Sequence, residues 1–150
     1  MYEQLSIFDT LEEKINYKTK KIRLIELFAG YGSQALALKY LNANFEHWRM
    51  CEWAIPSIIA YADVHKNELP NYGIDYSSNM NKKEVADYLF KIGVSNNYNE
   101  PANLKQLERM PEEKLRLIYN SIKWTNNLVD ITKVCGSDLA IERERVFTNI

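Results

Sequence analysis

Two spacings of apolar residues alternate along this chain. Ile22-Arg23-Leu24-Ile25-Glu26-Leu27-Phe28 is short and rich in branched and aromatic residues, which predicts a strand. Ala29-Gly30-Tyr31-Gly32-Ser33 follows as a glycine-punctuated turn, and Gln34–Leu41 is built from strong helix formers. Asn42-Ala43-Asn44 closes that helix, and Phe45–Glu52 reads as a second strand. Pro56 then suits the first turn of a helix running to about His65. Further on, helical spacing predicts pieces near Lys82–Ile92, closed by Gly93, near Ala102–Arg109 and over Glu112–Trp124. Leu128-Val129-Asp130-Ile131 reads as a short third strand, and Arg145–Ile150 as the start of a fourth. Strand, glycine turn, helix, strand, helix is the order of a parallel, doubly wound α/β sheet.

Composition narrows this reading. Of 150 residues, 46% are hydrophobic and 26% charged, enough for a buried core and too apolar for disorder along the whole length. No apolar run approaches the roughly 20 residues that span a bilayer, and the first residues lack a secretion signal. With two cysteines in unrelated contexts, Cys51 and Cys135, the expectation is a soluble cytoplasmic protein of a bacterial or phage-infected cell. The 19 basic and 20 acidic residues leave a net charge of −1, whereas a free-standing DNA-binding module usually carries a basic excess. DNA binding is therefore expected only if another segment completes the chain.

The candidate chemistry lies at the strand ends. Gly30 and Gly32 can adopt backbone angles closed to other residues and let a ligand approach the main chain. The helix that follows points free N–H groups at it. A plain tight turn explains a lone glycine pair equally well. Glu52, however, falls 20 residues after Gly32 at the end of the second strand, where a carboxylate can accept both ribose hydroxyls. Trp53 offers a flat face for adenine, and Asp130 an acceptor for its amino group. The bland alternative makes Glu52 and Asp130 surface carboxylates and Trp53 a core filler. The joint pattern favours an adenosine-type ligand, and no metal site is expected.

These residues are familiar together. Leu24–Gly32, with Phe28-Ala29-Gly30-Tyr31-Gly32 at its end, resembles the opening motif of the DNA cytosine-5 methyltransferases, a strand ending Leu-Phe-Ala-Gly-x-Gly. Glu52-Trp53 is similar to the family's second motif and Asp130-Ile131-Thr132 to its third. The resemblance covers residues 22–66 closely and resumes near 128–134. It implies a Rossmann-like S-adenosylmethionine-dependent methyltransferase fold, with S-adenosyl-L-methionine held by Phe28–Gly32, Glu52, Trp53, Asp130 and Ile131. Residues 21–150 would be a partial methyltransferase domain, with 71–127 a helical insertion longer than the family's usual link.

The family's catalytic cysteine adds to C6 of a flipped-out cytosine from a Pro-Cys-Gln motif, assisted by a Glu-Asn-Val glutamate. Neither motif occurs in these 150 residues. Cys51 reads as a small buried residue, and Cys135 lacks the flanking proline and glutamine. No catalytic residue is assigned, and the chain alone is expected not to methylate DNA. In the order the family implies, 3-2-1-4-5-7-6, a truncated sheet leaves the first strand at an edge. That edge needs cover from the tail, a second copy in a homo-oligomer, or a protein partner. Finally, residues 1–20 read as a mobile lead-in. Within it, Gln4-Leu5-Ser6-Ile7-Phe8 resembles the short peptide that docks bacterial proteins onto the polymerase sliding clamp, with Gln4, Leu5, Ile7 and Phe8 as contacts. An amphipathic segment packed on its own domain explains it equally well. A fragment of an enzyme, one subunit of a split enzyme, and a non-catalytic phage-type inhibitor of a host defence system all remain open.

Overall fold

The computed structural model describes residues 20–139. The expected fourth strand, Arg145–Ile150, and the Gln4–Phe8 peptide lie outside the described residues. Strand β1 (Ile22–Leu27) leads through the glycine turn to helix α1 (Ser33–Tyr40). Strand β2 (Phe45–Cys51) then leads into helix α2 (Ile55–Val64), with Pro56 in its first turn. Helices α3 (Lys82–Ile92), α4 (Leu104–Glu108) and α5 (Glu112–Trp124) follow. The fold is mixed α/β. β1 and β2 pair in parallel from Ile22 opposite Phe45 to Leu27 opposite Cys51, with a bulge at Trp48 between the Leu24–His47 and Ile25–Arg49 pairs.

Local chemistry explains the helix boundaries. Asn81 and Glu84 form a reciprocal capping box at the start of α3, and Asn103 and Gln106 do the same for α4. Gly93 ends α3 at φ 83°, as its position predicts. β1 stops one residue early because Phe28 turns to φ 56°, outside strand geometry.

The third strand is a correction. Only a single parallel bridge, Met50 opposite Asn127, and the bond from Leu128 N–H to Met50 O (2.9 Å) continue the sheet. Val129 has φ 63°, and Asp130 N–H turns back to Leu128 O at 2.8 Å, closing a three-residue γ-turn. Ile131–Lys133 then coil into a 3-10 turn. The branched residues that suggested a strand are real, but this turn lifts the chain out of the ladder after one bridge.

Residues 71–127 build most of the core rather than lying apart from it. Val85 and Leu89 of α3, Leu107 of α4 and Leu115 and Ile118 of α5 pack with Ile55 and Ile58 of α2. Main-chain bonds tie the layers together: Ser95 N–H reaches Trp53 O and Ile55 N–H reaches Ser95 O, both at 2.8 Å. Beneath the glycine turn a smaller polar core forms. Tyr61 of α2 donates its hydroxyl proton to the buried carboxylate of Glu26 (2.5 Å), which also accepts from Ala35 N–H (3.3 Å). Burial and this carboxylate push the Tyr61 phenol far above its ordinary value. No helix among the described residues is long and apolar enough to cross a membrane.

Candidate functional site

A cleft of about 440 Å³ opens at the carboxyl ends of the two strands. The size lies within the range of small-molecule sites. Residues from each of the three motifs line it: Phe28, then Glu52 and Trp53, then Asp130, Ile131 and Thr132. Ala29, Gly30, Tyr31 and Gly32 are not in the lining. Gly30 touches the lining through its N–H bond to Glu52.

The glycine turn is fixed by its hydrogen bonds. Ala29 N–H donates to Cys51 O (3.2 Å) and Gly32 N–H to Ala29 O (2.8 Å). Gly30 N–H donates to Glu52 Oε2 at 3.0 Å, while Glu52 Oε1 accepts Ala54 N–H at 2.8 Å. The carboxylate therefore clamps the turn onto the end of β2. A carboxylate has about four acceptor positions, so two remain for a ligand. Phe28 stands 76% exposed at the rim, a large apolar side chain with no cover from the described residues. Trp53 does both things the sequence allowed: it packs against the main core and faces the cleft.

Asp130 is held from its own turn. Its Oδ1 accepts Thr132 N–H (3.0 Å) and Thr132 Oγ1–H (2.6 Å), and Lys133 Nζ sits 2.8 Å from Oδ2. The Lys133 ammonium and then the Thr132 hydroxyl hold this carboxyl below the usual carboxylate range, so it is ionised at neutral pH. It keeps one acceptor position free by the same count.

Sequence reasoning missed three contributors. Asn127, 8% exposed, accepts Glu52 N–H (3.1 Å) and Val129 N–H (2.9 Å) on Oδ1 and donates from Nδ2 to Glu52 O (2.9 Å). Its side chain thus replaces the missing ladder between the second and third motifs. The doublet Asn126-Asn127 ahead of an apolar run was the only signal, and it reads as an ordinary turn. Tyr98, from the Asn-rich loop in residues 71–127, closes part of the cleft and hydrogen-bonds Ser57 through its hydroxyl (3.0 Å). Val129 lines the cleft at a positive φ that branched residues rarely adopt, a strained geometry of the kind that collects at ligand sites.

Cys51 also lines the cleft, but as a buried thiol donating to Val129 O (3.3 Å). Burial, with Asp130 and Glu52 nearby, pushes its pKa up to about 11. At neutral pH it is no thiolate nucleophile. Cys135 is exposed and outside the lining, hydrogen-bonded to Asp138.

No family model matches the chain. Among curated proteins, the Orphan methyltransferase M.SssI of Spiroplasma monobiae is 34% identical over 122 residues, covering 79% of this chain and 31% of the relative. The Type II methyltransferase M2.ScrFI of Lactococcus lactis subsp. cremoris is 29% identical over 113 residues, covering 75% of this chain and 30% of the relative. The chain thus spans less than a third of the length of the curated relatives it matches. Sequence shared along three quarters of its residues, and three motifs meeting in one cleft, show that the chain belongs to the DNA cytosine-5 methyltransferase family.

Proposed function

We propose that this chain is the S-adenosyl-L-methionine-holding part of a Rossmann-like DNA cytosine-5 methyltransferase domain. The observation that carries the proposal is the single cleft into which residues of all three motifs converge. Glu52 would take the ribose hydroxyls on its two free acceptor positions, Trp53 would lie against the adenine, and Asp130 would accept the adenine amino group. Ile131 and Phe28 would supply apolar contact at either end. The cofactor brings an electrophilic methyl group. These residues bind and orient it.

The nucleophile and target recognition would come from residues beyond those of this cleft. Neither Pro-Cys-Gln nor Glu-Asn-Val occurs in the sequence, and Cys51 is held as a thiol. Transfer of tritiated methyl groups to mixed-sequence DNA by this chain alone should stay at background. Incorporation that disappears in Cys135→Ser would overturn that expectation. Among the described residues β1 pairs only with β2, so its far edge is where the remainder of a methyltransferase sheet, or another chain, would join.

Calorimetry with S-adenosylhomocysteine tests the cofactor reading. Binding in the micromolar to millimolar range is expected. Glu52→Gln should weaken it at least about tenfold and cost about 1–2 kcal/mol of stability, because an amide NH2 would confront a backbone N–H at Gly30 or Ala54. An absence of heat from folded wild-type chain would sink the proposal.

A further inference from the structure

We infer that His47, His65 and Glu68 form a binding site for a divalent transition-metal ion of the zinc type, lying beneath the glycine turn. One ring nitrogen from each of His47 and His65 and a Glu68 carboxylate oxygen all lie within 4.8 Å of one another. The three residues have something else in common. Among the described residues, four buried side-chain polar atoms lack a hydrogen-bond partner, and three of the four are His47 Nε2, His65 Nδ1 and Glu68 Oε2. Native interiors rarely leave such atoms unmatched, and here they converge on one point.

The other ring nitrogens fix what these atoms are. His65 Nε2 lies 3.0 Å from Tyr31 O, a carbonyl that can only accept, so in the neutral ring Nε2 carries the proton and Nδ1 presents a lone pair. Tyr61 spends its one hydroxyl proton on Glu26, so at 2.8 Å His47 Nδ1 must donate to the phenol oxygen, which leaves Nε2 bare. Glu68 Oε1 is taken by Lys39 Nζ at 2.5 Å, which leaves Oε2 facing His65 Nδ1 at 3.9 Å. Three acceptors thus meet with no donor among them. A water molecule has two protons and would leave one acceptor unmet, whereas a cation meets all three.

The surroundings follow the pattern of metal sites, in which each ligating histidine donates its other N–H to a carbonyl or to a group backed by a carboxylate. His65 does so to Tyr31 O, and His47 does so through Tyr61 to Glu26. Two imidazoles and one carboxylate suit zinc and its neighbours rather than calcium or magnesium. A zinc ion with bonds near 2.1 Å sets its ligands roughly 3.4 Å apart. The widest pair would therefore close by at most about 1.4 Å, and Glu68, 3.9 Å from His65 Nδ1 with its side chain 22% exposed, would move by less. The fourth position would hold water. The ligands come from β2, the end of α2 and the turn beyond it. The ion would join these to the glycine turn through His65, a structural role that does not depend on cofactor binding.

The 150-residue chain, stripped with chelator, should be titrated with zinc chloride alone and followed by calorimetry and thermal unfolding. One ion per chain and a rise in Tm are expected, and cobalt chloride should give visible absorption bands of a low-coordinate site. Glu68→Gln should lower zinc affinity on the order of 100-fold, the share of one ligand in a structural site, and His47→Gln should do likewise. If His47→Gln does not fold, Glu68→Gln decides alone, since its side chain sits at the edge of the cluster. No binding by folded wild-type chain overturns the inference, and so does binding that Glu68→Gln leaves unchanged.

Discussion

Gly32→Ala should destabilise the chain by about 2–5 kcal/mol, while Gly30→Ala, two residues away, should cost about 1–2 kcal/mol. Both glycines have positive φ, 86° and 55°, so both substitutions pay the left-handed backbone penalty of about 1–2 kcal/mol. What separates them is space. A Cβ on Gly30 meets nothing within 4 Å, whereas one on Gly32 would sit 2.2 Å from His65 Nε2 and 2.7 Å from Tyr61 Cε2. Neither ring can yield cheaply. His65 is fully buried and donates to Tyr31 O, and Tyr61 is buried between Glu26 and His47. The substitution must therefore push α2 away from the glycine turn, adding an overpacking cost of roughly 1–3 kcal/mol. Against a typical domain stability of about 5–15 kcal/mol this is a large share. Urea denaturation of the two variants side by side measures it. Equal losses would mean that the close approach of α2 to the turn does not hold in solution.

This contrast shows what the sequence could and could not convey. A glycine pair after a strand is readable as a turn, and β1, β2 and the boundaries of α3 and α5 follow from apolar spacing and caps that lie in the local sequence. Which glycine is sterically irreplaceable depends on His65, 33 residues further on, and no local rule reaches that far. The same limit hid the third-motif turn. Leu128-Val129-Asp130-Ile131 has strand composition, yet Val129 is left-handed where Met50 O holds Leu128 N–H and the Asn127 side chain holds Val129 N–H. Tyr98 was invisible for another reason: an aromatic residue in an Asn-rich loop gives no periodic signal, and its place at the cleft involves a hydrogen bond to Ser57, 41 residues earlier. Motif residues were legible because their chemistry is carried by residue type. The groups that position them were not, because backbone-directed hydrogen bonds can come from many side chains.

Asn127→Ala carries the second large effect, a loss of about 3 kcal/mol together with at least about tenfold weaker binding of S-adenosylhomocysteine. Truncation removes three buried hydrogen bonds at once. Glu52 N–H and Val129 N–H lose their shared acceptor, and Glu52 O loses its donor. Each unmet buried group costs roughly 1–3 kcal/mol, less whatever water recovers by entering the gap. Asn126 provides the internal control. It is exposed and makes none of these bonds, so Asn126→Ala should cost under about 1 kcal/mol, chiefly for its left-handed backbone at φ 50°. The binding effect has a separate origin. Asn127 ties the main chain of Glu52 to that of Val129, and so sets the spacing between the Glu52 carboxylate and the Asp130 turn. Loosening that tie keeps every side chain that lines the cleft but lets its two halves drift apart, and positioning errors of about 1 Å are costly in preorganised sites. Calorimetry should be run where denaturation curves show the variant folded, so that lost affinity is not lost protein. If stability falls and affinity does not, Asn127 is packing alone, and the second and third motifs do not act as one ligand site.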